Sequence, residues 1–149
     1  MIVTDTSTLK QKSQPLYVGD LKKIRKVSEQ LFQEIKNHPN AVGLSAIQIG
    51  IPLRIAIVYL GSGTQNPRRW TVIVNPSVES QSDEVQEAEE GCLSIPNTVL
   101  LVSRPWSVRV GYRDLKYKFY KEKFYGIDAR VIQHEIDHMD GILMTDRGK

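Results

Sequence analysis

The stretch Gln133-His134-Glu135-Ile136-Asp137-His138 decides how the rest of the chain is read. It lies in residues 126–139, where Val131, Ile132, Ile136 and Met139 supply an apolar helical pattern and Gly141 stands just beyond the end. Side chains four apart on a helix lie one above the other, so the imidazoles of His134 and His138 can reach a single metal ion. Glu135 projects from the adjacent flank, where a carboxylate reaches a metal-bound water without displacing the ligands. Apolar residues on more than one flank predict a buried helix. Two histidines in a buried helix need partners, and a metal supplies them.

A hydrolytic metal site needs a third protein ligand and one open position. Gly141 falls where the long zinc-protease signature has its glycine, but Met144 occupies the position of that signature's third histidine. Downstream of His138 the only carboxylates are Asp140 and Asp146. Cys92, the single cysteine, is therefore the leading candidate, because a thiolate binds metal strongly and is deprotonated by it.

Working outward, 149 residues with 40% hydrophobic and 25% charged content predict one globular domain over residues 1–149. A net charge of +3 is too small to argue by itself for nucleic acid. One cysteine precludes an intrachain disulfide and fits a reducing compartment. No apolar run approaches the roughly 20 residues of a membrane span, and residues 1–12 resemble neither a signal nor a transit peptide. The expectation is a cytoplasmic protein without membrane or DNA partners.

Residues 1–16 read as an extended arm. Residues 20–37 read as an amphipathic helix capped by Asp20 and stopped before Pro39, with His38 as a C-terminal capping residue. Residues 53–60 and 71–74 read as paired strands joined by turn chemistry at 61–69. Residues 79–90, with six acids and no base, read as a solvated loop or edge strand. Further strands are expected at 99–102 and 108–112. Residues 115–125 alternate lysine with aromatics, as in a hairpin with one wet face; a nucleic-acid-facing strip is the sharper alternative. Strands followed by a closing helix argue an α+β domain.

Three blocks together resemble the peptide deformylase family: Gly43-Leu44-Ser45-Ala46-Ile47-Gln48, Glu90-Gly91-Cys92-Leu93-Ser94, and Gln133 to His138. The last two are intact. The first departs from the family's usual residues at Ala41, Ser45 and Ile47, where glycine, alanine, and proline or threonine are usual. The resemblance implies antiparallel β-sheets packed around a central HExxH metal-binding helix, with an N-terminal amphipathic helix. It further implies a short variant lacking the family's C-terminal helix.

At matching positions it implies Cys92, His134 and His138 as metal ligands and Glu135 as general acid/base. Gln48, through its side chain, and Leu93, through its backbone N–H, would stabilise the oxyanion, while Val42, Gly43 and Gly91 would flank a bound peptide. Glu90 is expected to hold Gln48 or a neighbour in place, and Arg104 is left outside the site. The implied reaction removes the N-formyl group from the initiator methionine of nascent polypeptides and releases formate, using metal-activated water. The implied metal is Fe(II), with Zn, Ni or Co as other occupants of a mixed sulfur and nitrogen site. Two rival readings are an HExxH metallopeptidase and a catalytically weak peptide-binding homologue. A monomer is favoured, with transient ribosome contact, for which Lys118, Lys121 and Lys123 are the candidates.

Overall fold

A computed structural model describes residues 1–61 and 69–148 of the chain. The turn expected at 61–69 lies largely outside the described residues. The element order is α1 (Thr6–Leu9), α2 (Leu21–Ile35), β1 (Gly43–Ser45), β2 (Ile55–Leu60), β3 (Arg69–Gln81), β4 (Val85–Cys92), β5 (Ile95–Pro105), β6 (Ser107–Arg113), β7 (Phe119–Tyr125), α3 (Gly126–Met139) and α4 (Met144–Arg147). Strands β1-β2-β3-β6-β7 form one sheet in that order, and β4-β5 form a second. Every pairing between named strands is antiparallel. The α+β expectation holds, as does the pairing of the strands on either side of residues 61–69.

The larger sheet lies between two helices. From β2, Ala56 and Val58 join Ile73, Val108, Val110 and Phe124 against Ala129, Ile132, Ile136 and Met139 of α3. On the opposite face, Ile55, Ile57, Val72 and Val74 meet Ile24, Val27, Leu31 and Ile35 of α2. A strand covered on both faces has no wet side, so β2 reads as a continuous apolar run. Burying each such aliphatic side chain contributes about 1.5–3 kcal/mol. Helix α3 is the most enclosed helix, with eleven of its fourteen residues buried. Among the described residues, no helix is long and apolar enough to cross a membrane.

The C-terminus of α3 is fixed from outside. Gly141 has φ +74°, and a Cβ there would lie 2.3 Å from the Lys10 carbonyl oxygen, so conformation and space both demand glycine. Nearby, the Ser13 N–H donates to the Met139 carbonyl at 2.8 Å.

The N-terminal arm differs from expectation. Asp5 accepts from the Thr8 N–H and nucleates α1, whose Leu9 is buried. Asp20 precedes α2 but does not cap it with its side chain. It accepts from the Tyr17 N–H at 2.7 Å, closing the 3-10 turn Val18–Asp20, the local bonding that aspartate offers the backbone. The His38 N–H, rather than its ring, closes on the Ile35 carbonyl; the ring pairs with Glu34 at 3.1 Å. The acidic stretch completes β3 and forms β4 on either side of a bend at 82–84, with Glu87 and Glu89 exposed and Glu90 turned inward.

Candidate metal and acyl-transfer site

Helix α3 carries His134 and His138 on one face, with Nε2 atoms 3.2 Å apart. Cys92 reaches them from the end of β4. A register shift between Gly91 and Cys92 breaks the β4-β5 ladder there, as bulges do where a side chain must be re-aimed. The Cys92 Sγ lies 3.4 Å from His138 Nε2. One ligand atom from each of the three residues lies within 4.8 Å of the others. One sulfur and two imidazole nitrogens converging at this range fit a divalent transition metal.

The neighbouring polar groups hold this arrangement. His134 Nδ1 donates to Glu90 at 2.9 Å, which fixes the ring and turns Nε2 toward His138. Glu90 is buried and also bonds Arg104, with Nη2 2.9 Å away, and Arg130 at 2.6 Å. Arg104 continues to Asp137 at 2.9 Å, and Asp137 accepts from Arg147. Burial alone would raise the Glu90 pKa; Arg104 and His134 override it and hold the carboxyl well below its usual range.

Without metal, burial opposes a charge on both imidazoles. For His134 the hydrogen bonds to Cys92 and Glu90 win, and its pKa rises to about 10. For His138, burial and the His134 charge act together and lower it to about 3.

Glu135 is 4% exposed. Its Oε1 accepts from Ser45 Oγ at 2.9 Å, and the same hydroxyl reaches its backbone carbonyl at 3.1 Å. Burial raises its pKa, against His134 and Ser45, which lower it. Gly43 lies so close that a Cβ there would stand 2.5 Å from Glu135 Oε2. Gly43→Ala is therefore expected to push the carboxylate aside and reduce kcat by about 100-fold, with metal content unchanged; a kcat within about twofold of the parent would show that this contact is idle.

Gln48 ends the site opposite α3. Its Oε1 accepts from the Ser45 N–H at 3.0 Å, which turns Nε2 toward Ser94 Oγ (3.2 Å) and Cys92 Sγ (3.5 Å). Leu93 follows Cys92 in the turn into β5. Val42, Gly43, Gln48 and Gly91 line one cleft of about 1090 Å³ together with Cys92, Leu93, His134 and Glu135. His138 lies just behind, 1% exposed.

The residues expected to hold metal, act in catalysis or flank a peptide thus come to one place. Glu90 holds His134 rather than Gln48. Sequence reasoning missed the contacts of Ser45 with Glu135 and of Arg104 with Glu90 and Asp137. Ser45 had a signal, its departure from the family pattern; Arg104 had none, since its meaning depends on Glu90 and Asp137.

An α+β fold in which a cysteine sulfur and an HExxH helix converge beside a buried glutamate forms a candidate metal site of the kind that hydrolases use. The family model described as polypeptide deformylase matches residues 1–149. A curated peptide deformylase of Nitrobacter hamburgensis is 43% identical over 129 residues, covering 83% of this chain and 71% of that protein. Among solved structures, a probable peptide deformylase of Synechococcus phage S-SSM7 matches with TM-score 0.88 and 34% identity, covering 99% of this chain and 98% of that one. The Met-Ala-Ser-bound class I type b peptide deformylase of Acinetobacter baumannii matches at 0.89 and 30%, covering 99% and 96%. The chain belongs to the polypeptide deformylase family. It is an enzyme, a deformylase, with the fold of its relatives.

Proposed function

We propose that this chain, as a single catalytic domain, removes the N-formyl group from the initiator methionine of nascent polypeptides, with one divalent metal held by Cys92, His134 and His138. The observation that carries the reading is the convergence of those three ligand atoms beside the buried Glu135 carboxylate. A bound cation supplies Lewis acidity toward the formyl carbonyl and lowers the pKa of water to about 7.

The side chains supply the rest. β1 is the edge of the larger sheet, and Gly91 lies in the smaller one. A peptide laid between them as an added strand gains main-chain hydrogen bonds. Water adds to the formyl carbon, and Glu135 takes its proton. Gln48 Nε2 and the Leu93 N–H donate to the oxygen that gains charge, an arrangement that contributes about 3–4 kcal/mol per donor. As the C–N bond breaks, Glu135 returns the proton to the amine nitrogen, leaving formate and a free N-terminus.

Fe(II) is the proposed metal, and Zn, Ni or Co suit the same ligands. Cys92→Ala is expected to lose most bound metal, measured by elemental analysis; full occupancy would remove Cys92 from the ligand set. The reading also places the chain in the cytoplasm, as a monomer with transient ribosome contact, which light scattering and co-sedimentation test. The decisive assay is formate release from a formyl-methionyl tripeptide by anaerobically purified, metal-loaded protein. An unformylated peptide with a cleavable internal bond runs alongside. Formate without internal cleavage supports the proposal. Internal cleavage would point to a metallopeptidase, and neither product, with metal bound, to a peptide-binding homologue.

A further inference from the structure

Residues 105–127 hold six basic side chains and two acids, an excess larger than the +3 of the entire chain. The register of β6 and β7 sorts them. Directly opposed pairs lie on one side of the sheet, so Arg109↔Lys123, Gly111↔Lys121, Arg113↔Phe119 and Ser107↔Tyr125 share a face. The other face presents Val108, Val110, Tyr112 and Phe124 to the core with α3. Both acids of the segment are engaged off the basic face. Glu122 accepts from the Tyr112 hydroxyl, and Asp114 from the Lys116 and Lys118 N–H groups. Lys118 lies over the Tyr120 ring and Tyr120 stacks on Tyr112, so Lys118 does not belong to this face.

What remains is a pleated surface with four cations: Arg109, Lys121 and Lys123 are exposed, and Arg113 is half-buried, with Nη1 donating to the Tyr117 carbonyl at 3.0 Å. The carboxylate that answers them among the described residues is Glu79, 3.0 Å from Lys121. Among the described residues, Arg109 and Lys123 have no ion-pair partner. Phe119 is 50% and Tyr125 54% exposed, at the two ends of β7. Each ring lies against a cation of the same face, Arg113 beside Phe119 and Lys123 beside Tyr125, both 5.4 Å from the ring centroid. Alternate residues stand about 6.6 Å apart along a strand, a spacing on the scale of one nucleotide of extended single strand.

We propose that the outer face of β6-β7 binds single-stranded RNA, with phosphates along the Arg109–Lys123 row and bases stacked on Phe119 and Tyr125. Cations interleaved with half-exposed rings on a sheet are the combination that single strands recognise, because every base offers a stacking face. A lipid surface fits worse, since membrane binding requires a buried apolar side and this face carries no aliphatic side chain. The choice of RNA over other polyanions rests on the proposed function, whose substrate emerges amid RNA.

The test is fluorescence anisotropy of a labelled single-stranded RNA of about 12 nucleotides, titrated with the metal-loaded protein between about 50 and 200 mM salt. The double variant Arg109→Gln/Lys123→Gln is expected to flatten the slope of log affinity against log salt by about 1.4 and weaken binding at least tenfold at the lower salt. Phe119→Ala and Tyr125→Ala are each expected to weaken it by about tenfold with the slope unchanged. Duplex RNA, whose bases are already stacked, should bind at least about tenfold more weakly. Unchanged thermal melting establishes that the variants fold, and formate release is read separately, so failure of RNA binding and failure of the deformylase reading are distinguishable. No binding by the parent protein, wild-type affinity in the aromatic variants, or equal affinity for duplex would each overturn the proposal. So would preference for vesicles of anionic lipid over RNA.

Discussion

Glu135→Gln is expected to lower formate release by about 10³- to 10⁴-fold while leaving bound metal at the parent level. The glutamine keeps the shape of the side chain and can still accept from Ser45 Oγ, so the packing against Gly43 survives. What it loses is a site for the proton that must travel from water to the departing amine, and general acid–base catalysis by one positioned group is worth about 10²–10⁴. The upper part of that range applies because the proposed mechanism gives Glu135 both transfers and its side chain is buried. Retained metal follows from the geometry, since Glu135 is not among the three converging ligands. Single-turnover formate release with parallel elemental analysis checks both parts. A variant within about tenfold of the parent would mean the proton is carried elsewhere.

Arg104→Met is expected to destabilise the fold by about 3 kcal/mol, read as a fall in melting temperature of roughly 10 °C. Arg104 is 2% exposed and stands between two buried carboxylates, Glu90 and Asp137. Removing its charge leaves both without their shared counter-ion, the situation that makes a broken buried pair costly. Arg130 and Arg147 retain one carboxylate each, which keeps the loss at the lower end of the range. The same network sets a pH dependence. The folded-state pKa of Glu90 is depressed, so its contribution is fully present above the ordinary carboxylate pKa of about 4.3 and is lost as pH falls below it. The variant should therefore lose less stability than the parent on acidification below about pH 4. Equal melting temperatures at neutral pH would show that the network contributes nothing net.

Much of this molecule is legible in its sequence because the signals are local. Helix α3 occupies residues 126–139, as its apolar spacing and Gly141 predict, and β2 falls within its β-branched run. The site is legible for a different reason: Cys92, His134 and His138 are few in kind and chemically demanding, so their shortage of other partners narrows the choice. Arg104 and Ser45 are illegible because neither type is rare and their partners lie 33 and 90 residues away. The basic face was half legible. Alternation along β7 is local, but the contribution of Arg109 and Arg113 depends on the register with β6.

The two sides of the proposed metal position differ in how hard they are to dislodge. The histidines ride on α3, which is embedded in the main core, so moving them means loosening that core. Cys92 rides on a two-stranded sheet, a unit that is marginal alone and gains its rigidity from what it leans on. Glu90 to Arg130 and Arg104 to Asp137 are the straps that make it lean on α3. Local opening follows the least costly route, so an ion held as proposed would have its lifetime set by the breathing of the β4-β5 hairpin. Loss of such an ion would begin at the sulfur, before the fold itself gives way.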